Sequence, residues 1–122
     1  MSNPVQTKSF DFAVRIVNLY KYLSLEHKEY VLSKQLLRSG TAVGALVREA
    51  LQAESRPDFI HKLAIALKEV HETEYWILLL QATKYLKPKE SQSILADNKE
   101  LQKLLTSIIK TTKQTPKPKP TS

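Results

Sequence analysis

The sequence predicts an all-α protein, an antiparallel up-down-up-down four-helix bundle. Three observations carry that expectation. Apolar residues recur at three- and four-residue spacing through four long segments, the period of one helix face. Only two glycines, Gly40 and Gly44, occur in 122 residues, too few for the tight turns of an all-β chain. The connections between the periodic segments are short, which sets successive helices side by side and antiparallel.

The first helix is expected over about residues 8–24, "KSFDFAVRIVNLYKYLS", after a disordered N-terminus of residues 1–7. Ala13, Ile16, Val17, Tyr20 and Leu23 form its apolar side, with Lys8, Asp11, Arg15 and Asn18 opposite. The second covers about residues 28–54, with Leu36, Val43, Val47, Ala50 and Leu51 as its stripe. The third opens after "ESRP". Ser55 caps it, Pro57 sits in the first turn, and Asp58 follows Ser55 by three residues, a variant of the capping box. It runs to about Leu86, where "KPKES" interrupts. The fourth covers about residues 89–112 and carries Ile94, Leu101, Leu104, Leu105, Ile108 and Ile109. One bundle therefore spans residues 8–112. Residues 113–122, "KQTPKPKPTS", hold three prolines, three lysines and no acid, and are expected to be a disordered basic tail.

The third segment contains an uninterrupted apolar run, Trp76–Leu80. The stripe Phe59, Leu63, Ala66, Val70, Thr73, Ile77, Leu80 suffices for one bundle core, which leaves Trp76, Leu78 and Leu79 partly off it. Exposing a large apolar side chain forfeits roughly 1.5–3 kcal/mol, so a second protein surface is expected there. The plainer alternative is a wide stripe in the most central helix. In the second segment Gly40 and Gly44 lie one turn apart. Each helical glycine costs about 1 kcal/mol relative to alanine, and the pair leaves a strip where another helix can approach. Gly40, Gly44, Trp76, Leu78 and Leu79 are thus the expected interface of a homo-oligomer.

The formal net charge is +7, which favours acidic partners, nucleic acid above all. Three of the seven surplus charges fall within residues 113–122. Lys34, Arg38 and Arg48 share a face of the second segment. Lys99, Lys103, Lys110 and Lys113 line the fourth, opposite its apolar stripe. Lys34, Arg38, Arg48, Lys103, Lys110 and Lys113 are the candidate phosphate contacts. Such stripes suit RNA or DNA backbones without base specificity. Most aromatics fall on or beside apolar faces, so nothing suggests the aromatic–cation interleaving that stacks single strands.

Other chemistry has little footing. Cysteine is absent, which removes disulfides and thiolate chemistry. No apolar run approaches the ~18 residues of a membrane span, and "MSNPVQTKSF" lacks a signal-peptide pattern. A cytoplasmic protein without membrane partners is expected. The nearest approach to a di-metal pattern is Asp58 with His61, and His71 with Glu74 runs in reverse order. No metal, cofactor or catalytic residue is assigned, and the chain is expected not to be an enzyme. Arg56 and His61 have an Arg-x4-His spacing that resembles the motif of HEPN ribonucleases. Pro57 departs from the polar residue usual there.

The block "QLLRSGTAVGALVREALQAESRPDFIHKLAIALKEVHETEYWILLL" resembles the signature of a bacterial four-helix-bundle family. Its founding members are encoded in intervening sequences of large-subunit ribosomal RNA genes. "KSFDFAVRIVNLYKYL" is similar to that family's first helix, so the resemblance covers about residues 8–112. It implies antiparallel protomers assembled as homopentamers. It also implies kinship with the accessory variability proteins of diversity-generating retroelements, which are basic, bind nucleic acid and work with a reverse transcriptase. On this resemblance Arg38, Ser39, Gly40, Gly44, Arg48 and Glu49 carry one motif, and Asp58, Phe59, Glu72, Tyr75 and Trp76 a second. Ala42 and Leu46 replace the family's frequent serine and asparagine, which implies drier packing at that contact.

Overall fold

The computed structural model describes residues 3–116. Four helices follow in order: α1, Pro4–Glu26; α2, Leu32–Leu51; α3, Arg56–Ala82; and α4, Pro88–Gln114. Each packs on its neighbour in sequence, and α1 closes the bundle against α4 with the sparsest contact. The expected up-down four-helix bundle is the observed architecture.

Helix ends explain where the expected boundaries moved. The Asn3 side chain accepts the Val5 N–H at 3.0 Å, and Pro4 occupies the first turn, where a missing N–H costs nothing. Residues 4–7, expected to be disordered, are therefore helical, and Val5 is buried. Helix α2 begins at Leu32 because Glu29 caps it from outside. Its carboxylate accepts the N–H groups of Val31 at 3.0 Å, Leu32 at 2.8 Å and Ser33 at 2.7 Å. The Ser33 hydroxyl donates back to the Glu29 carbonyl. Burial opposes ionisation of Glu29, yet these amides outweigh it and hold the carboxyl below its ordinary range. At α3 the expected Ser55 cap is present: its hydroxyl accepts the Asp58 N–H at 3.2 Å. Helix α4 extends past residue 112 to Gln114, so the start of the expected tail is helical. Lys117 and Lys119 lie outside the described residues.

The two connections at the α1/α2 and α3/α4 end turn on lysine. Lys28 and Lys84 adopt left-handed backbone, with φ of 54° and 73°. After Lys84, the Tyr85 N–H returns to the Leu80 carbonyl and the Lys84 N–H to that of Gln81, a Schellman closure usually made with glycine.

The core stripe of α3 is the one the sequence indicated: Leu63, Ala66, Val70, Thr73, Ile77 and Leu80 are buried. On α1 the buried residues are Val5, Ser9, Phe12, Ile16 and Leu23, so the stripe is rotated from the expected one. Gly40 and Gly44 lie where α1 meets α2. They bring α1 of the same chain close to α2. A Cβ at Gly40 would lie 2.7 Å from two Ile16 carbons, and one at Gly44 would lie 3.3 Å from the Ser9 carbonyl oxygen. The strip expected to receive another copy is thus occupied, at Gly40, from within the protomer.

Candidate nucleic-acid interface

The six cations singled out in the sequence do not share one surface. Arg38 is bound to Glu69 at 3.1 Å and to Glu72 on α3. Glu72 in turn accepts the Trp76 indole N–H at 3.0 Å. That hydrogen bond, with Arg38 alongside, holds the Glu72 carboxyl below its ordinary range against the effect of burial. Arg38 and Trp76 are therefore two ends of one brace joining α2 to α3. Arg48 lies elsewhere, in a groove of about 510 Å³ between α1 and α2, beside Phe10, Ala13, Thr41, Gly44 and Ala45. Lys34 stands at the end of the bundle that holds the two short connections.

Lys103, Lys110 and Lys113 do belong together. They follow one flank of α4, all exposed, and none is in an ion pair among the described residues. Lys103 and Lys110 line a shallow groove of about 490 Å³ between α3 and α4 with His71, Thr106 and Ser107. Lys99, at the same groove, is drawn to Glu74 at 3.4 Å and to the Gln102 side-chain oxygen at 3.2 Å. Beneath it runs a buried amide ladder: Asn98 donates to the Val70 carbonyl at 2.9 Å, and Gln102 donates to Asn98 at 2.7 Å. The Asn98 bond to Val70, braced by Gln102 within α4, fixes the register of α4 on α3 and so the positions of the lysines above it. Hydroxyl groups between cations on a rigid helix can hold phosphate oxygens without reading bases.

The opposite flank of α4 is electrically closed. Lys8 pairs with Glu100 and Arg15 with Asp97.

The apolar surplus is smaller than the Trp76–Leu80 run suggested. Ile77 and Leu80 are fully buried, and Trp76 and Leu79 are half-buried. Tyr75, at 57% exposure, and Leu78, at 46%, face outward. Phe10, 66% exposed, and Val14 form a second outward patch, on α1, that the sequence reading missed because Phe10 alternates closely with the buried Phe12.

Most aromatics lie on or beside the apolar faces, as expected: Phe12 is in the core, and Tyr22, Phe59, Trp76 and Tyr85 pack against it. At the end bearing the two connections, Tyr22 donates to Glu90 at 2.8 Å and lies 3.0 Å from the His27 ring nitrogen. The His27 ring meets Tyr22 and Tyr85 edge-on, with centroids 5.0 and 6.2 Å apart. Tyr30 is half exposed beside them in sequence. Exposed lysines, Lys21, Lys28, Lys84 and Lys87, lie close in sequence to these rings. The rings come from α1 and from two separate connections, which a linear reading does not join.

Arg56 and His61 share a groove with Lys113. Arg56 donates to the carbonyls of Thr115 and Pro116, clamping the end of α4, while His61 is exposed. Among the described residues no group of three or more His, Asp or Glu could hold a metal ion, and no helix is long and apolar enough to cross a membrane.

The family described as 23S rRNA-intervening sequence protein matches residues 1–107. A crystal structure of a protein of unknown function from the S23 ribosomal protein family of Bacteroides thetaiotaomicron is 61% identical. The match covers 87% of this chain and 98% of that one, with a TM-score of 0.86. No curated protein sequence matches the chain.

Proposed function

We propose, for a chain that belongs to the 23S rRNA-intervening sequence protein family, a non-enzymatic role as a basic, self-associating scaffold that binds RNA or DNA with little sequence specificity. One observation carries the reading: Lys103, Lys110 and Lys113 stand exposed on one flank of α4 and, among the described residues, without ion pairs, while on the other flank Lys8 pairs with Glu100 and Arg15 with Asp97. Fixed cations with no acidic partner attract polyanions and release their counterions on binding. Self-association rests on a different feature, the outward patches at Tyr75–Leu78 and Phe10–Val14. They lie on different helices, and two unlike patches suit a head-to-tail ring. Five subunits, and service to a reverse transcriptase, rest on the family resemblance alone.

Titration with duplex DNA and structured RNA at rising salt tests the first part. Binding that is strong at low salt and falls steeply is the expected result; no binding at low salt rejects it. Light scattering tests the second, since a mass near the single-chain 13.9 kDa at micromolar concentration rejects association.

A protein-interaction module is the second reading, favoured by the exposed Tyr75 and Leu78. It predicts a salt-insensitive partner lost on Leu78→Asp. A ribonuclease centred on Arg56 and His61 would require Arg56 to leave the Thr115 and Pro116 carbonyls. RNA cleavage abolished by His61→Ala would be its sign.

A further inference from the structure

The α1/α2 and α3/α4 connections meet at one end of the bundle, and that end has an unusual surface. Lys21, Lys28, Lys34, Lys84, Lys87 and Lys89 are all exposed there, and none is in an ion pair among the described residues. The acids nearby are mostly committed. Glu29 is buried against the backbone amides of α2, and Glu90 accepts the Tyr22 hydroxyl and the Lys87 N–H. Glu26 alone is exposed without such a role among the described residues. Amid these lysines lie the Tyr22–His27–Tyr85 ring cluster and the half-exposed Tyr30. Leu25, near the end of α1, and Val31, next to Tyr30 in the chain, are 66% and 72% exposed and add apolar surface. Two of the lysines, Lys28 and Lys84, sit in left-handed backbone that a lysine rarely adopts. Strain kept at two positions of one surface is a reason to look for a function there.

We propose that this end binds an unpaired nucleic-acid strand, with bases stacking on Tyr30 and the exposed His27 and the phosphates held by the surrounding lysines. The inference rests on the nucleic-acid reading above and narrows it, for this end, to single strands. The chemistry separates the possible occupants. A duplex hides its base faces and gains nothing from Tyr30, Leu25 or Val31. A strand with unstacked bases offers a flat apolar face to each ring and a phosphate to each lysine. A protein partner is less suited, because lysine is depleted at protein interfaces. A second copy of the same end would bring like charges together. The ring cluster is held by hydrogen bonds at both hydroxyl and imidazole, so it presents fixed planes rather than the loose wedge that enters a lipid surface.

The test uses the full chain and fluorescence anisotropy at low salt, with four probes: a single-stranded RNA of about twelve nucleotides, an abasic strand of equal length, a blunt duplex, and vesicles containing phosphatidylglycerol. The base-bearing strand should bind about tenfold more tightly than the abasic strand. Tyr30→Ala should remove most of that difference, Tyr30→Phe should keep it, and neither should alter duplex binding. Equal affinity for the abasic and base-bearing strands, or no effect of Tyr30→Ala, overturns the single-strand site while leaving duplex binding intact. Tyr30-dependent binding to vesicles without the same dependence for the strand also overturns it. Failure of every nucleic-acid probe to bind removes the broader reading as well.

Discussion

The two flanks of α4 put similar residue types to opposite uses. Toward α1, Lys8 and Arg15 meet Glu100 and Asp97 across a sparse helix contact, and charge is cancelled at the surface. Toward α3, the Asn98 amide, steadied by Gln102 on its own helix, bonds the Val70 carbonyl from inside, and Lys103, Lys110 and Lys113 are left outward. The first flank uses charge to join helices. The second relies on a buried neutral bond together with the Lys99–Glu74 pair, and leaves Lys103, Lys110 and Lys113 available. A cation's value for binding therefore depends less on its spacing along a helix than on what the neighbouring helix places opposite it.

The largest expected effect sharpens the role of the amide ladder. Asn98→Ala strands the Gln102 amide in the core, at a cost of about 2 kcal/mol in urea denaturation. Gly40→Ala comes next. The added methyl collides with buried Ile16, and overpacking costs about 1–3 kcal/mol, partly offset by alanine's better helix propensity of about 1 kcal/mol. Lower stability in thermal melts is the expected outcome. Reversing Lys103, Lys110 and Lys113 to glutamate should weaken duplex binding about tenfold or more and flatten its salt dependence. Arg15→Ala and Lys8→Ala should leave binding unaltered. If they weaken it equally, the contrast between the flanks fails.

The carboxylates follow the same division. Glu29 is buried against three amides, so its folded-state carboxyl titrates below the usual range. Its contribution is complete above the unfolded carboxylate pKa of about 4.3, and is lost as pH falls through the lower folded value. Glu29→Gln should destabilise by about 1 kcal/mol at neutral pH, and the gap in melting temperature from the parent chain should close in acid. The smallest effect belongs to the exposed pairs. Arg15→Ala and Lys8→Ala should each lower the melting temperature only slightly, a shift that high salt should reduce further.

Much of the fold was legible in the sequence. The α3 stripe, the Ser55 cap and the four-helix order follow from periodicity and capping chemistry that act within a few residues. The N-terminus was misjudged because Asn3 and Pro4 start a helix before any apolar period is visible. Gly40 was read correctly as a close-approach position but assigned to the wrong partner. A one-dimensional pattern shows that some helix comes near, not whether it is Ile16 of the same chain. Arg38 looked like Lys103 in spacing, yet Glu69 and Glu72 on α3 claim it. The Tyr22–His27–Tyr85 cluster was invisible for a related reason: Tyr85 reaches it from a different connection, far along the chain from the other two.

Lys28 and Lys84 set up a conflict that a mutational survey can expose. Left-handed backbone costs an L-residue roughly 1–2 kcal/mol that glycine escapes. A library ranked by heat resistance alone should therefore enrich glycine at both positions, while the same library ranked by retention on an oligonucleotide column should enrich lysine. Agreement between the two rankings would mean that these corners are only corners.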